Sequence, residues 1–189
     1  MTPIVKERSA SSNINTSLAV LGLCSTFMMT ACSGGGGGAS SPSASGDHPL
    51  VGNPAPDFSL PAQSGGKEAS LAGNDGKVRL VDFWATWCGP CRASFPKYEA
   101  LAKKYSGDVV ILGISEDDES DGIKDFAQQT GATFTLAWDK QKGVASSYHP
   151  ESMPTSFLID KKGLVRFVHA GFRDGDEGEI ESELKSLLQ

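Results

Sequence analysis

The chain has 189 residues with 17 Lys and Arg against 23 Asp and Glu, giving a formal charge of −6; this size suits one core domain, and the acidic balance removes the basic surface that DNA or RNA binding needs. Hydrophobic residues make up 39% and glycine adds 22 residues, an apolar share near that of globular proteins, which excludes wholesale disorder. No run of about 20 apolar residues is present, so a membrane span kept in the mature protein is not expected.

At the N-terminus, Lys6 and Arg8 precede an uncharged stretch from Ser9 to Gly46, within which Leu18 to Met29 is an apolar run. This is the order of a secretory signal, and a helix over the run would reach only about 18 Å against a hydrocarbon core of about 30 Å. The run ends in Met29-Thr30-Ala31-Cys32, which resembles a bacterial lipoprotein cleavage box. That resemblance implies removal of residues 1–31 and lipidation of Cys32, anchoring the protein to a membrane on the periplasmic side of the cell envelope. The alternative is ordinary cleavage between Ala39 and Ala44, with release as a soluble protein. Ser33 to Gly46 holds five consecutive glycines and otherwise Ser, Ala and Pro, the composition of a flexible linker with a reach of about 20 Å. Residues 47–189 are left for one domain.

Val78 to Trp84 and Val109 to Ile114 are nearly continuous apolar runs and read as strands buried on both faces. Between them, Phe95, Tyr98, Leu101, Ala102 and Tyr105 recur at three- and four-residue steps, which predicts an amphipathic helix over Pro90 to Tyr105. Strand, helix and strand make a βαβ unit with a right-handed crossover. A helix at about 121–130, a short strand at 134–138 and a helical patch near 141–147 continue the α/β pattern. Thr155 to Ile159 and Leu164 to His169 flank a turn, Asp160-Lys161-Lys162-Gly163, and should pair antiparallel. The last helix, Gly175 to Leu188, carries acids in its first half and Lys185 near its end, as the helix dipole prefers.

Of the four cysteines, Cys24 lies in the signal segment and Cys32 at its end, which leaves Cys88 and Cys91 in Trp87-Cys88-Gly89-Pro90-Cys91. Between a buried strand and a helix, this spacing reads as a redox-active disulfide pair. A cysteine at a helix N-terminus meets free backbone N–H donors and the positive end of the dipole, which stabilise its thiolate. Cys88 is therefore expected to attack, and Cys91, one step further in and shielded, to resolve. Structural zinc lacks ligands, since no second C-x-x-C exists and His48, His149 and His169 are scattered. A c-type haem would need His where Arg92 stands. A static disulfide gains little chain entropy from so short a loop.

From residue 51 to 189 the sequence resembles the thioredoxin fold, and specifically the TlpA-like thiol-disulfide oxidoreductases of bacterial envelopes. Gly52-Asn53-Pro54-Ala55-Pro56-Asp57-Phe58-Ser59-Leu60 resembles the opening strand shared with peroxiredoxins, and Val81 to Cys91 resembles the thioredoxin active-site stretch. Pro96 matches the helix-kinking proline, and Met153-Pro154-Thr155 the site of the cis-proline. The resemblance implies an α/β domain: a central mixed β-sheet flanked by helices, with an N-terminal strand extension and a βα insertion.

Asp82, an acid inside an apolar strand, should have its pKa raised by desolvation. The resemblance implies that it serves as base or proton relay for Cys91; local solvation or hydrogen bonding is the alternative. Ser94 stands where several of these proteins carry Glu, so that route is absent. Met153 and Pro154, across a cis bond, would dock an extended substrate segment, beside Trp87, Gly89 and Pro90; Trp84 is expected only to support by packing. The implied partners are protein disulfides of the envelope and a membrane electron donor for re-reduction, with no organic cofactor required. A thiol peroxidase and an envelope copper chaperone are the rival functions. The acidic run Glu116 to Asp121 lacks EF-hand spacing and reads as a solvated loop, no metal site is expected, and His149 and His169 receive no role.

Overall fold

Every residue from Val78 to Trp84 is buried, which makes this strand (β3) the spine of the sheet. A computed structural model describes residues 48–189; the expected signal segment, Cys32 and the linker to Gly46 lie outside the described residues. The elements run β1 (Ser59–Ser64), β2 (Glu68–Ser70), a 3-10 turn (Ala72–Asn74), β3, α1 (Gly89–Lys104), β4 (Val109–Ser115), α2 (Ile123–Thr130), β5 (Thr135–Trp138), α3 (Gly143–Tyr148), β6 (Thr155–Ile159), β7 (Val165–Ala170) and α4 (Asp176–Leu188). The seven strands take the order β2-β1-β5-β4-β3-β6-β7. β4 lies parallel to β3 and to β5, whereas β6 and β7 are antiparallel additions on the other side of β3. The β1–β2 hairpin forms the N-terminal extension, and β5 with α3 the βα insertion.

Alternation along β3 separates two cores. Leu80 and Trp84 face α1, α2 and α4, packing with Phe95, Tyr98, Phe126, Ile180 and Leu184. Val81 and Phe83 face the other way, with Phe58, Val144, Tyr148 and Phe157. Asp82, on the same face as Leu80 and Trp84, is thereby placed under α1. Trp84 lies 4.8 Å from the Phe95 ring and 4.6 Å from Phe126, so its role here is packing, as the sequence suggested.

Beside Asp82 in the ladder sits Gly113. A Cβ there would meet Leu136 Cδ2 at 2.6 Å and Trp84 Nε1 at 3.0 Å, which explains a glycine inside a buried strand. Gly131 ends α2 with φ 71°, and its N–H bonds to helix carbonyls.

The opening segment departs from expectation. Gly52 to Phe58 does not form a strand; regular pairing begins at Ser59. Pro54 and Pro56 lack the N–H a ladder needs, and the segment instead follows the β6–β7 turn through Gly52 N–H to Val165 O (2.8 Å) and Ala55 N–H to Gly163 O (2.9 Å).

Candidate active site

β3 ends at Trp84 and α1 begins at Gly89, so Cys88 is the N-cap of α1. Pro90 in the first turn fixes φ and needs no N–H partner. Cys88 and Cys91 are joined as a disulfide with Cα atoms 5.3 Å apart. The Cys91 N–H points at Cys88 Sγ at 3.1 Å, a donor already in place for a thiolate on Cys88. No acid occupies the first turn of α1, so nothing in that turn opposes an anion at Cys88, at the positive end of the helix dipole. Cys88 is 4% exposed and Cys91 fully buried.

The rim follows from the same turn. Trp87, Gly89 and Pro90 are exposed around the buried Cys88, and Trp87, at 71%, is the exposed large hydrophobic side chain among the described residues. Met153 packs on the core cluster that contains both cysteines, and its bond to buried Pro154 is cis. The histidines are engaged elsewhere: His149 accepts at its backbone carbonyl from the His48 ring, and His169 pairs with Glu183 at 2.5 Å.

Asp82 is fully buried, and burial pushes its pKa up to about 8 against the opposing hydrogen bond from Ser156. Ser156 donates to Asp82 Oδ1 at 2.6 Å, while Oδ2 is buried without a partner. Tyr98, two turns beyond Cys91 on α1, joins Ser156 Oγ at 2.8 Å. The sequence alone places Tyr98 on the apolar face of a helix and Ser156 within a strand, and gives neither a role at the site. A buried serine at the head of the run Thr155 to Ile159 was the available signal, but only the register, which sets Ser156 opposite Asp82, gives it meaning.

The acidic run also needs correction. Asp117 is buried, not solvated: it takes the Thr86 N–H (3.0 and 3.1 Å), the Thr86 hydroxyl (2.7 Å) and the Ser115 hydroxyl (2.8 Å). Glu116 is half-buried with Oε1 unpartnered. Burial raises its pKa to about 7, with the charges of Asp139 and Asp117 adding and Lys142 opposing. The strands β3 and β4 end side by side, which draws these acids back against the protein; Asp118, Glu119 and Asp121 stay exposed as expected.

The sequence model of the AhpC/TSA family matches residues 51–168. The chain belongs to the AhpC/TSA family. Among curated members, it is 37% identical over 136 residues to the thioredoxin-like protein YneN of Bacillus subtilis (strain 168), covering 70% of this chain and 79% of that one. It is 35% identical over 138 residues to the thiol-disulfide oxidoreductase ResA of Geobacillus kaustophilus, covering 72% and 78%. Among solved structures, a Chlorobium tepidum protein provisionally named thiol:disulfide interchange protein DsbE superposes with a TM-score of 0.68 at 36% identity, covering 72% of this chain and 96% of that one. These relatives agree with the thioredoxin fold and with the TlpA-like resemblance of the sequence, and they place this AhpC/TSA member beside thiol-disulfide oxidoreductases.

Proposed function

We propose that this protein is a thiol-disulfide oxidoreductase that reduces protein disulfides in the cell envelope. The observation that carries the reading is the Cys88–Cys91 pair at the start of α1, with the Cys91 N–H aimed at Cys88 Sγ. In the reduced protein, the Cys88 thiolate attacks one sulfur of a substrate disulfide, forming a mixed disulfide and expelling the other substrate sulfur as thiolate. Asp82, as carboxylate, takes the proton of the Cys91 thiol. The Cys91 thiolate then attacks Cys88 Sγ, which breaks the mixed bond, closes Cys88–Cys91 and releases the second substrate thiolate. Two electrons pass from the protein to the substrate, and each substrate thiolate takes a proton from solvent or from Asp82.

Trp87, Gly89, Pro90, Met153 and Pro154 form the docking rim for an extended substrate segment around Cys88. Gly89-Pro90 between the cysteines resembles the reducing thioredoxins, and it supports the direction of electron flow. Each turnover leaves the disulfide, so a dithiol or other two-electron donor at the membrane must restore the thiols. Lipid on Cys32 would hold the domain near that donor on the linker through Gly46.

Two assays test the reading. The reduced domain should reduce insulin-type disulfides stoichiometrically and show no comparable turnover of peroxide; the reverse preference favours the thiol peroxidase. Mass spectrometry of the mature chain should find an acylated Cys32 as its first residue, and an unmodified N-terminus beyond Gly38 defeats the anchor.

A further inference from the structure

Asp82 shares its core with one continuous polar chain. Tyr98 Oη lies 2.8 Å from Ser156 Oγ, and Ser156 Oγ lies 2.6 Å from Asp82 Oδ1. All three residues are fully buried. They come from three elements, α1, β6 and β3, which fix the spacing by packing and by the Asp82–Ser156 register. The Ser156 hydroxyl has one proton: when it goes to Asp82, the Tyr98 O–H must supply the bond to Ser156. The second carboxyl oxygen, Oδ2, is buried without a partner.

We propose that Ser156 and Tyr98 are positioning residues for Asp82, a two-hydroxyl chain that steadies its ionised form through Oδ1 and reserves Oδ2 for the proton exchanged in the redox cycle. The inference deepens the proposed role of Asp82 as base for Cys91, and its consequence for rate rests on that role. An unpartnered buried carboxylate would hold its proton far into the alkaline range, because nothing in an apolar core replaces water. Donors on one oxygen lower that cost while leaving the other oxygen free to gain or lose the proton. The burial of Asp82 is opposed only by Ser156, and no cation contributes.

The surroundings are otherwise uncharged or distant in effect. β4 offers Gly113, which has no side chain. α1 offers Cys91 in the same core layer, with Ser94 beside Tyr98. From α4 the charge of Asp176 acts on Tyr98, and burial together with Asp82 holds the phenol well above its ordinary pKa. Tyr98 therefore keeps its proton and has it available to donate to Ser156.

The test is a direct titration of the Asp82 carboxyl by carbon-detected NMR, over about pH 5 to 10, in the oxidised parent, Ser156→Ala and Tyr98→Phe. Each change removes one hydroxyl with little loss of volume. A hydrogen bond to a charged group is worth enough for Ser156→Ala to raise the Asp82 midpoint by about one pH unit or more. Tyr98→Phe should raise it in the same direction by less, because it acts through Ser156. Folded variants in which Asp82 titrates as in the parent overturn the proposal. If the midpoint moves but the pH dependence of mixed-disulfide resolution in the same variants does not follow, the hydroxyl chain stands and the assignment of Asp82 as the base for Cys91 fails.

Discussion

Asp117 at the end of β4 holds the backbone of Thr86, taking its N–H at 3.0 and 3.1 Å and its hydroxyl at 2.7 Å. Thr86 lies two residues before Cys88, so the acid fixes the turn that presents the cysteine. The Cys88 N–H bond to Ala85 O at 3.1 Å closes the same turn. Asp117→Ala strands the Thr86 N–H and the Ser115 hydroxyl in a largely buried place. The expected loss is about 2–3 kcal/mol of stability, together with slower disulfide reduction by the folded fraction. Urea unfolding and a single-turnover assay check both; a variant as stable and as fast as the parent would show that the clamp is idle.

Asp82→Asn separates stability from activity. The folded-state pKa of Asp82 is raised to about 8 from the ordinary 3.8. Between these values the unfolded chain has released the proton and the folded chain keeps it, so the parent loses stability as pH rises through that window. The loss levels off above about pH 8. Asn never ionises and escapes it, gaining on the parent by at most about 1.4 kcal/mol per pH unit across the window. The same amide cannot accept the Cys91 proton, so resolution of the mixed disulfide should slow near neutral pH. Thermal unfolding and disulfide reduction across pH 5 to 9, about the range the pKa covers, give the readout. An unfolded variant, or a folded one with an unchanged pH–rate profile, sinks the relay role.

Gly113→Ala tests the close approach beneath the site. The added carbon would stand 2.6 Å from Leu136 Cδ2 and 3.0 Å from Trp84 Nε1. Trp84 is fully buried against Phe95 and Phe126 and cannot retreat freely. Overpacking of this kind costs about 1–3 kcal/mol. An unchanged denaturation midpoint would mean that the Leu136 side chain swings aside without penalty.

What the sequence disclosed followed from period and local chemistry. The apolar runs of β3 and β4 and the three- and four-residue steps of α1 marked the βαβ unit, and β6 begins and ends where its apolar run does. Cys88 at a helix start and Asp82 in an apolar strand were legible because each is unusual for its place. The β1–β2 hairpin was less so, since its residues alternate weakly: Ser59 to Ser64 contains no fully buried side chain. Asp117 was hidden among neighbours that are exposed, and composition cannot tell one acid of a run from the next. Ser156 and Tyr98 gain their meaning from register and from the approach of α1 to β6, which are long-range facts: 74 residues separate Ser156 from Asp82, and 58 separate it from Tyr98.

The most direct test of the central claim is to trap the half-reaction. Reduced Cys91→Ser, offered a protein disulfide, should accumulate a covalent adduct through Cys88, because attack proceeds and only the resolving thiol is gone. Cys88→Ser should form no adduct and have no reductase activity. Non-reducing mass spectrometry of both variants gives the answer. An adduct on Cys91 in the Cys88→Ser protein, or equal loss of activity with no adduct in either, would contradict the assignment of Cys88 as the attacking thiol and Cys91 as the resolving one.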